Sequence, residues 1–518
     1  MASLVEFFVQ NRNNTNTCLR FNNLNISYQS AYKNIAKMIE YFKKVGIKRG
    51  DVVTLAVPNT PQNICAFFAL DALGAIINLV HPITKRKTLF RMMKEVKSHY
   101  LITSNYKIKK EDNKNITIIV TNQFKFTHNV LKYYYALRIR HSNCYLLDDF
   151  MKEKAKDFIP FSRQENEDSI YLHSSGTTSE PKVVRLSNEA LINMSHKLSF
   201  IAGNDLKGKY MLAVLPIFHS FGLAMGVVAP LLNSMPINLL MRFNAKTIAK
   251  EINKNNVHFI IGVPLMYEKL LKSKAFCKAK LENVELCFVG GDACNASLVN
   301  SFDALMKRHG SEAKLLEGYG LSEALICIVN TKFSSCINSL GKPLINNDVK
   351  IIDEHGKDLG VNKNGEIVVY ADTLMNGYLN NDNNEFVINK NSKGIKTGDI
   401  GFIDNKGFVH FVERKKRVYK ISGVYVFPSE VEKIVKSLSY IKDVALLYCN
   451  AQKPYLTLFI ALQKGVKESN EKIKENINLL LSEHVIKYAM PKEIKKLKDL
   501  PKTSLGKIDF NKLNKYWN

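Results

Sequence analysis

Apolar and polar positions follow two different periods in the first hundred residues. Residues 28–45 place apolar side chains three and four positions apart, which predicts an amphipathic helix. The β-branched run at 52–57 predicts a strand that Pro58 ends, and a helix-like segment then precedes a second strand candidate at 75–80. This strand–helix–strand order predicts a largely parallel sheet covered by helices.

The same rhythm continues through the middle of the chain. A polar stretch rich in Lys and Asn, 104–166, interrupts it, and we expect surface excursions between strands there. Short apolar runs then predict further strands at 170–172, 211–215, 259–261 and 286–289.

The last third of the chain changes character twice. From 345 to 412 the runs shorten and Gly- and Asp-containing turns become frequent, which predicts a small β-rich subdomain. A charge run at 413–417 has the composition of a linker. After it, a helix, two strands and a helix are predicted at 430–438, 444–447, 455–462 and 476–486.

The predicted fold class is therefore α/β. Residues 1–414 would form a large N-terminal domain of helix-covered mixed β-sheets with the small β-rich subdomain, and residues 415–518 a small α+β C-terminal domain. A length of 518 residues agrees with more than one core, and 46% hydrophobic residues exclude disorder over most of the chain.

The charge balance is strongly basic. Lys and Arg number 74 against 47 Asp and Glu, a net charge of +27. Such a field favours anionic partners, such as nucleotides, coenzyme A or an acidic membrane surface. No compact basic and aromatic stripe appears, so we expect no nucleic-acid partner, and contact with a membrane surface stays open.

The cysteines and the apolar stretches indicate in which cellular compartment the protein is expected. The nine cysteines are scattered without a C-x-x-C pair, which disfavours structural zinc and a disulfide framework. No secretory signal is visible at the N-terminus, and polar residues or prolines interrupt the apolar stretches 64–80 and 211–241. We therefore expect a cytoplasmic protein.

A hydroxyl-rich segment directly after the predicted strand 170–172 carries the strongest chemical signal. Its residues are Ser174, Ser175, Gly176, Thr177, Thr178, Ser179, Glu180, Pro181 and Lys182. A turn of hydroxyls, a glycine and a lysine suits a polyphosphate, although a polar surface turn would look the same. The spacing differs from G-x-x-x-x-G-K-[ST], which disfavours an ordinary P-loop NTPase.

Three further clusters are ambiguous one by one. The first is Gly318-Tyr319-Gly320-Leu321-Ser322-Glu323, in which tight glycine turns, a stacking ring and a hard oxygen ligand for Mg²⁺ would meet. The second is 396–399, where Asp399 on a turn could accept ribose hydroxyls. The third is 501–507, which ends in Lys507. Plain turn chemistry explains each cluster equally well when it is taken alone.

In this order and spacing the clusters resemble those of the adenylate-forming superfamily, which contains acyl-CoA synthetases, adenylation domains and beetle luciferases. The likeness runs from Pro58-Asn59 to Gly506-Lys507. The phosphate loop T-S-G-T-T-G-x-P-K-G corresponds to 174–183, and G-Y-G-x-[ST]-E corresponds to 318–323. An aromatic-His segment matches Phe218-His219 and a hinge segment matches 414–432.

The resemblance implies a role for each motif. Ser175, Thr177 and Lys182 would hold the β- and γ-phosphates, and Glu323 with Thr177 would hold Mg²⁺. Lys507 would bridge the acid and the α-phosphate. The residues implied to enclose adenine are Tyr319, Gly290, Gly291 and Asp292. The other residues implied to contact the nucleotide are Ser174, Gly176, Thr178, Gly318, Gly320, Ser322, Asp399, Arg414, Lys420 and Gly423.

The resemblance also implies two half-reactions. ATP and a carboxylic acid give acyl-AMP and pyrophosphate, and a thiol, here of coenzyme A, then takes the acyl group with release of AMP. Between them the small C-terminal domain would turn on a hinge at Lys416, bringing Lys420 and Gly423 to the site. His219 would line the acyl-carboxylate pocket, although many buried histidines are only hydrogen-bonded core residues.

The likeness is closest to long-chain acyl-CoA synthetases. The neighbourhoods 218–225, 261–264 and 324–326 are apolar, which favours a fatty acid, while aryl acids stay open. Acyl loading of a carrier-protein phosphopantetheine remains an alternative. Ser179 and Val183 replace glycines of the family pattern, so a catalytically weakened acyl- or nucleotide-binding protein also stays open. The sequence does not fix the oligomeric state.

Overall fold

The computed structural model describes two compact units. It covers residues 3–104, 115–121, 144–174, 182–203, 206–380, 386–389, 392–421, 424–449, 455–463, 465–466, 468–502 and 508–516. Unit 1 holds the described residues of Met1–Ser174, Pro181–Asp348 and Val369–Ile395. Unit 2 holds those of Val349–Val368 and Lys396–Asn518.

The described strands are numbered in chain order. They are β1 Thr17–Phe21, β2 Leu24–Ser27, β3 Val52–Ala56, β4 Ile76–Leu79, β5 Tyr100–Thr103, β6 Thr117–Val120, β7 Tyr145–Leu146, β8 Asp168–His173, β9 Val183–Ser187, β10 Tyr210–Ala213, β11 Ile237–Leu239, β12 Val257–Gly262, β13 Leu286–Val289, β14 Leu315–Leu321, β15 Leu325–Val329, β16 Lys342–Pro343, β17 Asp348–Ile352, β18 Gly365–Tyr370, β19 Gly377–Tyr378, β20 Phe386–Asn389, β21 Ser392–Ile403, β22 Val409–Arg414, β23 Tyr419–Ile421, β24 Val424–Val426, β25 Ile441–Cys449, β26 Tyr455–Leu462 and β27 Glu493–Lys496.

The helices are numbered in the same way. They are α1 Glu6–Gln10, α2 Tyr28–Val45, α3 Pro61–Ala72, α4 Arg86–Glu95, α5 Asn188–Ala202, α6 Ser220–Leu223, α7 Ala229–Leu232, α8 Ala245–Asn255, α9 Pro264–Leu271, α10 Lys274–Cys277, α11 Ala296–Arg308, α12 Pro428–Lys436, α13 Asn470–His484 and α14 Phe510–Leu513. One turn of π-helix, Ala224–Val228, joins α6 to α7. Short 3₁₀ turns lie at Leu147–Lys152, Leu281–Asn283, Lys415–Arg417, Lys487–Ala489 and Asn514–Tyr516.

Unit 1 contains two large mixed sheets. One has the strand order β16-β15-β14-β13-β12-β10-β11-β1-β2, and the other has the order β19-β9-β8-β4-β3-β5-β6-β7. Neighbours are parallel from β10 through β12 and β13 to β14, and β3 is parallel to both β4 and β5. The predicted mostly parallel, helix-covered arrangement is confirmed.

The first helices show why the apolar pattern was informative. Helix α2 coincides with the predicted segment; the Ser27 hydroxyl caps it, and Gly46 at a φ of 99° ends it. Helix α3 begins at Pro61, and all of its side chains are buried. An apolar segment of this kind is core, as expected for 64–80. Among the described helices, none is both long and apolar enough to cross a membrane.

The polar stretch 104–166 contains more structure than its composition predicts. Strands β6 and β7 add to one edge of the eight-stranded sheet, and Ile118, Ile119 and Val120 are buried. The expectation of surface excursions alone was wrong here. A four-residue strand with three apolar side chains is too short to show a period. Pairing with β5 gives this strand its place in the sheet.

The described part of unit 2 consists of small sheets with the helices α12, α13 and α14. Strands β21 and β22 are antiparallel, β23 and β24 form a two-stranded ladder, and β25, β26 and β27 form a three-stranded sheet. Helices α12 and α13 pack on its core through Val431, Val435, Ile477 and Leu481. The predicted helix, two strands and helix after the charge run are all present, so the α+β prediction is confirmed.

Candidate active site

The ends of the hydroxyl-rich loop lie at the tip of a β-hairpin in unit 1. Strands β8 and β9 are antiparallel, and His173 lies opposite Val183. The Ser174 amide donates to the Lys182 carbonyl at 2.9 Å, and the Lys182 amide donates to Ser174 Oγ at 3.0 Å. Both ends of the loop are thereby held together. Ser175, Gly176, Thr177, Thr178 and Ser179 lie outside the described residues.

Val183 belongs to strand β9, where its side chain is buried. Its φ lies outside the left-handed region that requires glycine. A β-branched residue suits a strand, so the backbone at this position does not need the glycine of the family pattern.

Glu323 and Lys182 meet at a third residue, Tyr378. The Tyr378 hydroxyl donates to Glu323 Oε1 at 2.9 Å, and Lys182 Nζ lies 4.4 Å from the centroid of the Tyr378 ring. A cation over the face of an aromatic ring is attracted by the negative charge of that face. One buried side chain therefore links the lysine of the hydroxyl-rich loop to the carboxylate that ends the second motif.

The segment around Tyr378 is tied to both motifs through its backbone. The Met375 amide donates to the Glu323 carbonyl at 2.8 Å, and Thr373 Oγ1 donates to the Ala324 carbonyl at 2.7 Å. Strand β19 pairs with β9, with Tyr378 opposite Val184. Sequence reasoning missed Tyr378. A Gly-Tyr pair between polar turns is too short to show an apolar period, and it does not by itself indicate a catalytic or binding role.

The glycines of the second motif lie in a strand, which corrects the predicted turn. Strand β14 runs through Gly318, Tyr319 and Gly320 and pairs with the antiparallel strand β15. A Cβ on Gly320 would lie 2.1 Å from the Leu325 carbonyl oxygen. Glycine is needed at 320 because two backbones approach closely, and not because the chain turns. Ser322 and Glu323 follow in the short connection to β15.

The predicted adenine turn lies beside this strand. Gly290 follows β13, the parallel neighbour of β14, and a Cβ on it would lie 2.9 Å from the Gly318 carbonyl oxygen. Gly291 adopts a φ of 79°, the left-handed conformation that favours glycine. Asp292 is exposed, and its carboxylate accepts from the Ala293 amide. The structure thus brings Gly290, Gly291 and Asp292 next to the motif that contains Tyr319.

Glu317 precedes that motif, and sequence reasoning did not single it out. Burial, with a smaller contribution from the Asp292 carboxylate, raises the pKa of Glu317 to about 7. Its Oε1 accepts from the Cys294 amide at 3.4 Å. An acid of this pKa keeps its proton below about pH 7 and is about half ionised near neutral pH.

His219 lies among aromatic rings. Its ring centroid is 4.8 Å from that of Phe218, which in turn is 4.4 Å from the ring of His81. Burial lowers the pKa of His219, and His81 lowers it further, so the imidazole is neutral at pH 7. The buried π-helical turn Ala224–Val228 follows closely in the chain. A neutral histidine beside apolar walls suits an uncharged part of a ligand.

Asp399 and Arg414 form an ion pair in unit 2. They are ladder partners in β21 and β22, and Arg414 Nη1 lies 2.7 Å from Asp399 Oδ1. Asp399 was predicted on a turn, but it lies within β21, where the preceding Gly398 adopts a φ of 70° inside the strand. Asp399 is buried, whereas the Arg414 side chain is 63% exposed.

Lys416 and Lys420 are also in unit 2. Lys416 lies in the 3₁₀ turn Lys415–Arg417 and is exposed. The backbone of Lys420 is in β23. Gly423 and Lys507 lie outside the described residues, so their predicted roles are not tested.

With this geometry in place, the comparison with protein families decides the identification. Residues 7–379 match the AMP-binding enzyme family. The chain belongs to that family, within the adenylate-forming superfamily.

Curated relatives agree with the family over nearly the whole chain. A long-chain-fatty-acid–CoA ligase of Bacillus subtilis is 24% identical and covers 95% of this chain and 90% of its own length. The 4-coumarate–CoA ligase 1 of Petroselinum crispum is 26% identical and covers 91% of this chain and 85% of its own length. Adenylate-forming CoA ligase activity is thereby supported, whereas the acids named by these relatives differ.

Solved structures show the same fold. MatB from Rhodopseudomonas palustris with ATP bound superposes with a TM-score of 0.83 at 19% identity, covering 99% of this chain and 98% of MatB. The o-succinylbenzoate CoA synthetase (MenE) of Bacillus subtilis with AMP gives a TM-score of 0.81 at 21% identity, covering 99% and 98%. The α/β fold class predicted from the sequence is confirmed.

Proposed function

We propose that this AMP-binding family member is an ATP-dependent acid–thiol ligase that converts a carboxylic acid, preferably a fatty acid, to its acyl-CoA. One observation carries the proposal. Lys182 and Glu323 both contact Tyr378 within unit 1. The two residues belong to different motifs and are 141 positions apart in the sequence. A cation and a hard carboxylate at one place suit a nucleotide polyphosphate and its metal ion.

The first half-reaction joins two anions. An oxygen of the acid carboxylate attacks the α-phosphorus of ATP, and the bond to the pyrophosphate oxygen breaks. Lys182, Ser175 and Thr177 would hold the β- and γ-phosphates, and Lys507 would place its ammonium between the acid and the α-phosphate. Positive charge that is already in position lowers the repulsion between the two reactants.

Glu323 and Thr177 are the proposed ligands of Mg²⁺. A magnesium ion in a nucleotide site is usually held by one or two carboxylates together with phosphate oxygens, so Glu323 would suffice as the protein carboxylate. When bound, the ion would offset charge on the phosphates.

The base and the sugar have separate proposed partners. Tyr319 and the turn Gly290-Gly291-Asp292 would enclose adenine. The other residues proposed to contact the nucleotide are Ser174, Gly176, Thr178, Gly318, Gly320 and Ser322. The closeness of Gly290 to the Gly318 carbonyl supports this grouping. Asp399 and Arg414 would bind the ribose hydroxyls, because a carboxylate paired with a guanidinium keeps acceptor sites for two hydroxyl groups.

The second half-reaction transfers the acyl group to sulfur. The coenzyme A thiol attacks the acyl carbonyl carbon, a thioester bond forms, and AMP leaves. We propose that the small C-terminal domain turns at Lys416 between the two steps, which withdraws Lys507 and presents Lys420 and Gly423. A polar, exposed linker residue such as Lys416 can absorb such a backbone change.

The preference for a fatty acid rests on the surroundings of His219. Phe218, Leu223 and Met225 are buried, and the neutral imidazole adds no charge that could hold a zwitterion. Apolar walls favour an apolar acyl chain. Relatives named for 4-coumarate and anthranilate make an aryl acid the second candidate.

A panel of acids tests the substrate class. The full-length protein is incubated with ATP, Mg²⁺, coenzyme A and one acid at a time, and thioesters are measured by mass spectrometry. We expect palmitate or a shorter fatty acid to exceed 4-coumarate and anthranilate. Higher turnover of an aryl acid would replace fatty acid by aryl acid in the proposal.

The same assay separates the acceptors. Replacing coenzyme A by a holo acyl carrier protein should give little thioester if coenzyme A is the acceptor. A carrier-protein thioester formed faster than acyl-CoA would instead favour the loading of a carrier protein. If no acid yields acyl-AMP with either acceptor, the protein is a catalytically silent binder.

A further inference from the structure

Tyr378 occupies a position that a packing role alone does not explain. Its side chain is 8% exposed, and it contacts two ionic groups of opposite sign in two different ways. The hydroxyl donates to Glu323, and the ring face receives the Lys182 ammonium. Tyr378 therefore contacts a carboxylate at its hydroxyl edge and a cation at its ring face.

The backbone fixes this position from two sides. The Leu379 amide donates to the Val183 carbonyl at 2.9 Å, which holds the segment to the strand after Lys182. The Met375 amide donates to the Glu323 carbonyl at 2.8 Å, which holds it to the other motif. In addition, Asn376 Nδ2 donates to Asp168 Oδ1 at 2.7 Å. A side chain fixed this well can set the direction of a flexible carboxylate.

We infer that Tyr378 is a positioning residue for nucleotide and metal binding. Its hydroxyl orients the Glu323 carboxylate, and its ring face holds the Lys182 ammonium. Without the hydroxyl, Glu323 gains the freedom to turn towards Lys182. A direct Lys182–Glu323 ion pair would then neutralise the two groups that the phosphates and the metal ion need. The inference rests on the function proposed above for Lys182 and Glu323.

Metal-dependent nucleotide binding measures this role without turnover. Calorimetry gives the affinity of the full-length protein for a non-hydrolysable ATP analogue with Mg²⁺ and with EDTA, in the absence of any acid. For Tyr378→Phe we expect the Mg²⁺-dependent gain in affinity to fall about tenfold, because one hydrogen bond to a charged group is lost. Affinity in EDTA should change less, since the ring that holds Lys182 remains.

A matched control removes another hydroxyl. Tyr41 is also buried, and its hydroxyl donates to the Leu146 carbonyl at 2.8 Å, away from the motifs. Tyr41→Phe should leave the Mg²⁺-dependent gain unchanged. Thermal unfolding without ligands shows that each variant is folded. Should Tyr378→Phe not fold, Glu323→Asp withdraws the carboxylate by one methylene group from an intact Tyr378 and should give the same loss.

A double-mutant cycle separates positioning from packing. Glu323→Gln should abolish the gain from Mg²⁺, and adding Tyr378→Phe should then change nothing further. An unchanged gain in Tyr378→Phe, or an equal loss with and without the Glu323 carboxylate, would overturn the inference.

Failure of the inference can be distinguished from failure of the proposed function. If Tyr378 acts as expected but no acid supports acyl-AMP formation, the proposed function fails and the inference stands. If acyl-CoA is formed but Tyr378→Phe binds the ATP analogue as Tyr41→Phe does, the inference fails and the proposed function stands.

Discussion

The two glycines that flank Tyr319 have different surroundings. A Cβ on Gly318 would make an ordinary 3.5 Å contact with Val329, whereas a Cβ on Gly320 would lie 2.1 Å from the Leu325 carbonyl. Backbone cannot move aside as a flexible side chain does. Packing therefore requires glycine at position 320. At position 318 packing does not require glycine, so the open space there could serve a ligand.

Alanine substitution at each position tests this difference. Gly320→Ala should lower the free energy of unfolding by about 2–3 kcal/mol, the usual cost of overpacking. Gly318→Ala should lower it by less than about 1 kcal/mol while raising the KM for ATP, because the new methyl group occupies space proposed for adenine. Urea unfolding followed by circular dichroism and a titration with ATP measure the two effects. Equal loss of stability in both variants would contradict the assignment.

At the scale of elements, the apolar period predicted the long helices and the buried strands well. Helix α2 and strands β13 and β26 coincide with their predicted segments. Strand β6 was not predicted because four residues carry too little pattern. Tyr378 was not singled out because its contacts, the pairing of its strand with β9 and the hydrogen bond to Glu323, join distant parts of the sequence. Long-range contacts of this kind leave no periodic signal in the sequence.

The same limit applied to the site. Sequence motifs singled out Lys182, Glu323 and Asp399 as candidates, because each combines a chemical group with a recognisable sequence neighbourhood. They misjudged the local backbone of 318–320 and of Asp399, which lie in strands and not in turns. A glycine in the sequence does not reveal whether it serves a turn or a close approach of two strands.

Strand β14 also carries a pH dependence through Glu317. An unfolded glutamate loses its proton near pH 4.3, whereas burial keeps the proton on folded Glu317 up to a pKa of about 7. Between these values the folded state holds more protons than the unfolded state, so the free energy of unfolding falls as the pH rises. Below pH about 4 this residue costs no stability, and above pH about 7 its cost is complete.

Glu317→Gln should remove this dependence. The amide keeps an oxygen for the Cys294 amide and has no charge to bury, so the variant should be more stable than the parent by about 1–3 kcal/mol at pH 8. The difference should vanish near pH 4. Thermal unfolding across this pH range measures it, with the exposed Glu312→Gln as control. A constant difference at every pH would refute the burial argument.

At the scale of the whole molecule, we propose that different parts of the chain serve different half-reactions. Unit 1 contains Lys182, Glu323 and the residues proposed for adenine, and unit 2 contains the Asp399–Arg414 pair and the proposed pivot Lys416. We propose that Lys507 acts in the first half-reaction alone and that Lys416 acts in the passage between the two. The two half-reactions can therefore be impaired separately.

Two variants make this separation visible. Lys507→Ala should slow acyl-AMP formation by about a hundredfold or more, because it removes the charge proposed between two anions, and should spare thioester formation from added acyl-AMP. Lys416→Pro should spare acyl-AMP formation and slow overall acyl-CoA synthesis, since proline restricts the backbone. Single-turnover measurements of each step provide the test. Equal losses in both steps for Lys507→Ala would contradict its role.

Acid-dependent exchange of labelled pyrophosphate into ATP requires acyl-AMP formation and no thiol, so it measures the proposed adenylation step by itself. We predict exchange by the full-length protein with at least one apolar carboxylic acid, dependent on Mg²⁺ and strongly reduced in Glu323→Gln. Exchange that is absent with every acid, or unaffected by Glu323→Gln, would contradict the proposed function.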